Sequence, residues 1–247
     1  MEYFYAQPGS VAPPTVTITG SEFTHMTHVM RMREGDAIRI VDGRGNAYDA
    51  LITSITRQAA SCRITARAQG LHEPARMLTL AAGMLKNPSR FDYLVEKASE
   101  IGAVRIVPLV TERTIPRHAK TERWQKLCVA AMKQSGRCVL PEVLQPVVFR
   151  EFISSCEPLA LKYIPHERAT VPLTPSLVPE EGPAVVCIGP EGGFSDEEVA
   201  AAQEAGFQPV SLGARRLRTE TAALVACAIV LQEEGRQDHR SAPGNEI

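Results

Sequence analysis

No stretch of this 247-residue chain approaches the roughly 18 consecutive apolar residues of a membrane-spanning helix, so the sequence predicts no transmembrane segment. The first residues, MEYFYAQPGS, lack a positive region followed by an apolar one and do not read as a signal peptide. An excess of charge is missing too: 27 Lys+Arg face 28 Asp+Glu. That balance excludes a uniformly basic coat of the histone or ribosomal-protein kind, but leaves room for a one-sided basic face. The six cysteines are dispersed with no CxxC pair, which argues against a disulfide scaffold and a zinc site. They read as reduced, buried thiols, and the protein as cytoplasmic. His25 and His28 could share a helix face, but no third ligand stands near them, and no metal is expected.

Familiar catalytic signatures are absent as well. There is no GxGxxG after a strand, no GxxxxGK(S/T), no GxSxG elbow and no HExxH. A Ser-His-Asp hydrolase would need a late histidine, and His239 falls in the final segment, 237–247, which reads as a disordered tail. Covalent and metal catalysis are both poorly supported.

What is present divides in two, as the length allows. Every basic residue before Lys86 is arginine. Residues 1–70 hold short runs of period-two alternation, VTIT (16–19), AIRIVD (37–42), YDALITSI (48–55) and SCRITAR (61–67), separated by turn residues. One helix interrupts them, with Ser21 as its expected N-cap and Gly35 just past its end. Such a pattern predicts a small barrel or sandwich, and QGLHEPAR (69–76) reads as a linker. From residue 77 to about 236, strands alternate with helices of 10–15 residues, which predicts βαβ units and a mostly parallel sheet.

Two loops stand at the carboxyl ends of predicted strands, where open α/β sheets bind ligands. The first, Ile188-Gly189-Pro190-Glu191-Gly192-Gly193-Phe194-Ser195, has three glycines in five residues, so the backbone can approach a ligand closely. Ser195 followed by Asp196, Glu197 and Glu198 forms a capping box with an acidic first turn. That acidity disfavours a phosphate at this helix start. The second, Leu212-Gly213-Ala214-Arg215-Arg216-Leu217-Arg218-Thr219-Glu220-Thr221, packs three arginines into four residues ahead of the last helix, with Thr219 the expected N-cap. Together the loops point to a shared pocket.

Gly189-Pro190-Glu191-Gly192-Gly193 with LGARRLRTETAAL (212–224) resembles the paired cofactor loops of the SPOUT superfamily of RNA methyltransferases. More narrowly, the chain is similar to the ribosomal RNA small subunit methyltransferase E family, which methylates N3 of one uridine in 16S rRNA. The likeness extends to Asn87-Pro88-Ser89-Arg90 with FDYLVEKASEIG, to VPLVTERT (107–114), to WQKLCVAAMKQSGRCVLPEV (124–143) and, more weakly, to HMTHVMRMREGD (25–36).

The resemblance implies a PUA-like RNA-binding β-barrel over 1–70, a SPOUT α/β domain with a trefoil knot and a mostly parallel sheet over 77–236, and a homodimer. It implies S-adenosyl-L-methionine as cofactor, held by Ile188, Gly189, Gly192, Gly193, Leu212, Gly213, Leu217 and Arg218, and 16S rRNA of the small ribosomal subunit as partner. The positive sulfonium would suit the acidic turn at 196–198. Arg218 is the first candidate for stabilising the deprotonated uracil and Glu220 a weaker candidate for general base. Candidates for holding RNA are Lys97, Arg113, Lys133 and Arg137, with Arg31, Arg33, Arg39 and Arg44 from the first segment. A related enzyme acting on another RNA such as tRNA, or an inert RNA-binding homologue, are the alternatives.

Overall fold

The computed structural model describes residues 1–116, 119–179 and 182–232. The tail at 237–247, and with it His239 and the last residues of the second predicted segment, lie outside the described residues.

The first sheet contains β1 (Tyr3–Tyr5), β2 (Val11–Ala12), β3 (Thr15–Thr19), β4 (Ala37–Val41), β5 (Asn46–Ile55) and β6 (Ala59–Gln69), in the order β1-β4-β5-β6-β3-β2. All its pairings are antiparallel except β1 with β4. Inward-facing residues of five strands, among them Phe4, Ile18, Ile40, Ile52 and Cys62, share one buried core, with Val11 of β2 packed against it. The alternation that marked the strands in sequence is the pleat of this sheet. The interrupting helix differs from expectation. α1 (Gly20–Thr24) starts after Thr19, not Ser21, and widens into a π-helical stretch at His25–Val29. It stops at Arg31, whose left-handed φ of 55° breaks the helix short of Gly35.

The second sheet is parallel throughout. β7 (Leu78–Gly83), β8 (Arg105–Val110), β9 (Glu142–Val143), β10 (Val147–Val148), β11 (Leu161–Pro165), β12 (Ala184–Ile188) and β13 (Gln208–Val210) run in the order β10-β8-β7-β12-β11-β13, with β9 beside β8. Leu78, Leu80 and Ala82 of β7 and Ala184, Val186 and Ile188 of β12 pack under α2 (Pro88–Ile101), α3 (Thr121–Ser135) and α6 (Thr219–Leu231). Ala81, Val185 and Cys187 face the other way, toward α4 (Phe149–Ser155) and α5 (Asp196–Glu204). Both faces are covered, so these strands read as continuous apolar runs.

Helix ends follow the sequence in most places. Asn87 caps α2 by accepting from Ser89 N, Gly136 closes α3 in a left-handed conformation, and Ser195 and Glu198 form the expected capping box on α5. Thr219 is not a cap: Arg218 occupies that position, without a side-chain cap, and Thr219 is buried as the first helical residue.

Three expectations are corrected where the two sheets meet. The stretch 69–76 is no free linker. Glu73 accepts hydrogen bonds from Cys138 N and Val139 N, both at 2.8 Å, and from Arg137 Nη2 at 2.6 Å. Arg137 is 2% exposed and also donates to Ser99 O and Ala103 O, so it is an internal strut and out of reach of RNA. Lys133 of α3, half-buried, pairs with Glu22 of α1 at 2.6 Å, while the other oxygen of Glu22 accepts from Tyr5 N of β1. Arg39 is likewise engaged, bidentate with Asp49.

Burial raises the thiol pKa of Cys227 to about 12 and those of Cys62, Cys128 and Cys138 to about 11, as expected of cysteines acting as small hydrophobes. Replacing Arg137 with alanine should destabilise the chain by about 3–5 kcal/mol, because the largely buried Glu73 carboxylate would lose the cation that balances its charge. Chemical denaturation measures this, and a loss under 1 kcal/mol would contradict the strut.

Candidate functional site

The carboxyl ends of β11, β12 and β13 open on one cavity of about 930 Å³. Ile188, Gly189, Gly192, Gly193, Leu212, Gly213, Leu217, Arg218 and Glu220 all line it, so the two loops singled out in the sequence do close around one space. Parallel strands project their following loops to the same side of a sheet, which explains the convergence.

The first loop lies very close to the sheet. A Cβ on Gly83, at the end of β7, would sit 2.5 Å from Pro190 N; one on Gly189 would sit 3.0 Å from Gly193 C and Phe194 N. Gly83 admits no side chain unless Pro190 moves, and at Gly189 the neighbouring backbone would have to give by a few tenths of an ångström. Gly193 (φ 71°) and Gly213 (φ 104°) are different: a Cβ there would meet open space, while the left-handed backbone itself favours glycine. Side chains pin the loop from outside. Glu191 accepts from Lys86 N at 3.0 Å, and Arg113 Nη1 donates to Gly192 O at 2.7 Å. Behind it, Glu198 of the α5 capping box also accepts from Glu112 N at 2.9 Å, tying the loop after β8 to the helix start.

Glu198 is therefore turned inward. Asp196 pairs with Arg168, and neither is on the cavity wall, so the acidic turn at 196–198 does not face a ligand there. The carboxylates that do line the cavity are Glu167, Glu191 and Glu220, of which only Glu220 is buried. They stand among Arg90, Arg113, Arg215, Arg216 and Arg218. Cations outnumber carboxylates on this wall although the whole chain is close to neutral.

The remaining RNA candidates are spread over several elements. Arg31, Arg33 and Arg44 are exposed on the first sheet's side. Lys97 lies on α2 between Glu96 and Glu100, at 2.8 and 2.7 Å. Arg113 alone among the named RNA candidates lines the cavity. Sequence reasoning passed over Arg90 as an individual, and also His166 and Glu167, which follow β11. The position of 166–167 just past a predicted strand was the available signal.

The lining suits a neutral, partly apolar ligand portion beside an anionic one. Ile188, Leu212 and Leu217 offer apolar contact, the glycines leave backbone groups accessible, and the arginines supply positive charge. Among the described residues no His/Cys/Asp/Glu cluster could hold a metal ion, and no helix is long and apolar enough to cross a membrane.

A family model described as an RNA methyltransferase domain matches residues 72–231, and one described as an RNA methyltransferase PUA domain matches residues 18–65. Ribosomal RNA small subunit methyltransferase E of Synechocystis sp. is 35% identical over 229 residues, 90% of this chain and 74% of that protein. Its namesake in Bacillus subtilis is 27% identical over 230 residues, 88% of this chain and 90% of that one. A crystal structure of a ribosomal RNA small subunit methyltransferase E from Neisseria gonorrhoeae, bound to S-adenosyl methionine, has a TM-score of 0.84 and 33% identity. It covers 92% of this chain and 95% of its own.

Gly83→Ala tests the loop geometry. Crowding of about 1–3 kcal/mol should displace Pro190 and weaken binding of S-adenosylmethionine about tenfold or more by calorimetry. Unchanged affinity would mean that the loop's position against β7 does not matter to the ligand.

Proposed function

The chain belongs to the ribosomal RNA small subunit methyltransferase E family, and from that premise we propose that it transfers the methyl group of S-adenosylmethionine to N3 of a uridine in 16S rRNA of the small ribosomal subunit. The observation that carries this reading is the single cavity enclosed by the Gly-rich and Arg-rich loops. Its glycines leave space that a Cβ would fill, and its apolar residues suit the uncharged parts of the cofactor.

When bound, the cofactor supplies an electrophilic methyl on a positive sulfonium; the N3–C bond forms as the S–C bond breaks, and the electron pair stays on sulfur. The protein's part is positioning and charge. Ile188, Gly189, Gly192, Gly193, Leu212, Gly213 and Leu217 are assigned to holding the cofactor. Loss of the N3 proton spreads negative charge over N3, O2 and O4, and a fixed cation stabilises it. Arg218, exposed at the cap of α6 on the cavity wall, is assigned that role together with a share in holding the cofactor. Glu220, the buried carboxylate on this wall, is the second residue assigned to the site.

RNA must bring its base out of any stack to reach this cavity. Arg31, Arg33, Lys97 and Arg113 are the proposed phosphate contacts, with the first segment, 1–70, acting as a PUA-like barrel and the second, 77–236, as the methyltransferase domain. Barrel closure is supported by the one core that all six strands contact. A trefoil knot is carried by the family likeness; the loop after β12, a strand at the sheet's centre beside β7, lies pressed on Gly83. A homodimer is supported by α6: Ala222, Leu224, Val225, Ala228 and Ile229 are apolar yet not fully buried, and a helix apolar all round should be covered.

Labelled S-adenosylmethionine and unmodified small subunits provide the test, with the product nucleoside identified by mass spectrometry. Methyl incorporation as N3-methyluridine is expected. Incorporation only into tRNA, or no cofactor binding, would overturn the assignment. Arg218→Ala should lower turnover about 100-fold or more, and full turnover in that variant would remove Arg218 from the mechanism. Sedimentation should give a dimer.

A further inference from the structure

Two helices begin at the cavity with a cation, and one of them, α2, does so against the usual electrostatic preference. The N-terminus of a helix carries partial positive charge and favours carboxylates. α6 is capped by Arg218, with Glu220 in its first turn, and Arg90 stands in the first turn of α2, which contains no acidic residue. Both arginines line the cavity. Placements that break a local rule collect at functional sites.

Arg90 is held by one specific partner. Its Nε lies 3.8 Å from Glu220 Oε1, an ion pair too long for a hydrogen bond, with the two side chains 37% and 11% exposed. The carboxylate lies beside the guanidinium without engaging its donors, and among the described residues no hydrogen bond from the Arg90 guanidinium is found. Arg113, by contrast, already donates to Gly192 O. The packing of α2 on α6 brings residues 90 and 220 together across 130 positions of chain.

We propose that Arg90 is a second catalytic cation, donating to a uracil carbonyl oxygen as N3 ionises, and that Glu220 is a positioning residue that holds Arg90. This rests on the uridine-N3 reading above. Uracil places a carbonyl on each side of N3, and charge released by deprotonation reaches both oxygens. Two guanidiniums at two helix N-termini match that distribution better than one. In this scheme the N3 proton passes to solvent water, the methyl carbon goes from sulfur to N3, and the thioether leaves neutral.

The experiment uses the full chain, unmodified small subunits and single-turnover kinetics from pH 6.5 to 9.5, with calorimetry for the cofactor and thermal melting for folding. Arg90→Ala should reduce the methylation rate about 100-fold while cofactor affinity stays within about twofold, and Arg90→Lys should recover part of the loss. Subunits containing 5-fluorouridine, whose N3 is more acidic, should narrow the gap between wild type and Arg90→Ala, which a merely structural defect would not do. Glu220→Gln should keep the rise of rate with pH, with a smaller loss than Arg90→Ala. An Arg90→Ala rate within about threefold of wild type, a gap unchanged by 5-fluorouridine, or a Glu220→Gln variant that loses the rise with pH would each overturn the proposal. Absence of methylation by the wild type would instead refute the uridine-N3 reading itself.

Discussion

The close approach of the loop after β12 to the end of β7 governs the geometry of the site. With no Cβ at residue 83, Pro190 N comes to rest where a side chain would otherwise be. From that contact the rest of the wall follows. Glu191 can reach Lys86 N, Gly192 O comes within range of Arg113, and Ser195 begins α5 at the right place for Glu198 to gather Glu112 N. Three segments distant in sequence, 83–86, 112–113 and 190–198, become one connected rim, and that matters because aligned methyl transfer depends on placement.

The distribution of charge has the same logic. The chain is almost neutral, so its cations have to be concentrated to be useful. Several are committed to internal work: Arg137 joins Glu73 to the ends of α2 and α3, Lys133 joins Glu22, and Arg39 joins Asp49. Those placed on the cavity, by contrast, outnumber the carboxylates beside them. An arginine's sequence neighbourhood does not reveal which of these fates it has. Arg137 sits beside Gly136 in a stretch similar to RNA methyltransferases, yet its guanidinium points inward because the chain turns at a left-handed glycine.

Elements with a strong period were readable. Val16–Thr19, Ala37–Val41 and the long strands around 50 and 64 alternate, and α2, α3 and α5 carry recognisable caps. What escaped was short or set by contact. β1, β2, β9 and β10 have two or three residues each, too few for any period. α4 has seven, and its identity comes from Phe149, Phe152 and Ile153 packing against the far face of the sheet. Ser21 had the right chemistry for a cap, but Gly20 (φ 62°) lets the helix begin a step earlier.

At the site, the glycines and arginines of the two loops were visible because their chemistry is local: a glycine permits a backbone shape wherever it stands. From composition and spacing alone, the chain could be assigned two folding segments, a parallel sheet in the second, and two loops at strand ends. Which side chains meet in space was decided by tertiary packing. Glu220 looked like favourable charge in a first helical turn until α2 brought Arg90 beside it, and Asp196–Glu198 looked like a ligand-facing turn until Glu198 folded back on its own cap. Local patterns record what a segment can do alone; pair distances between residues 130 apart exist only after the chain has closed on itself.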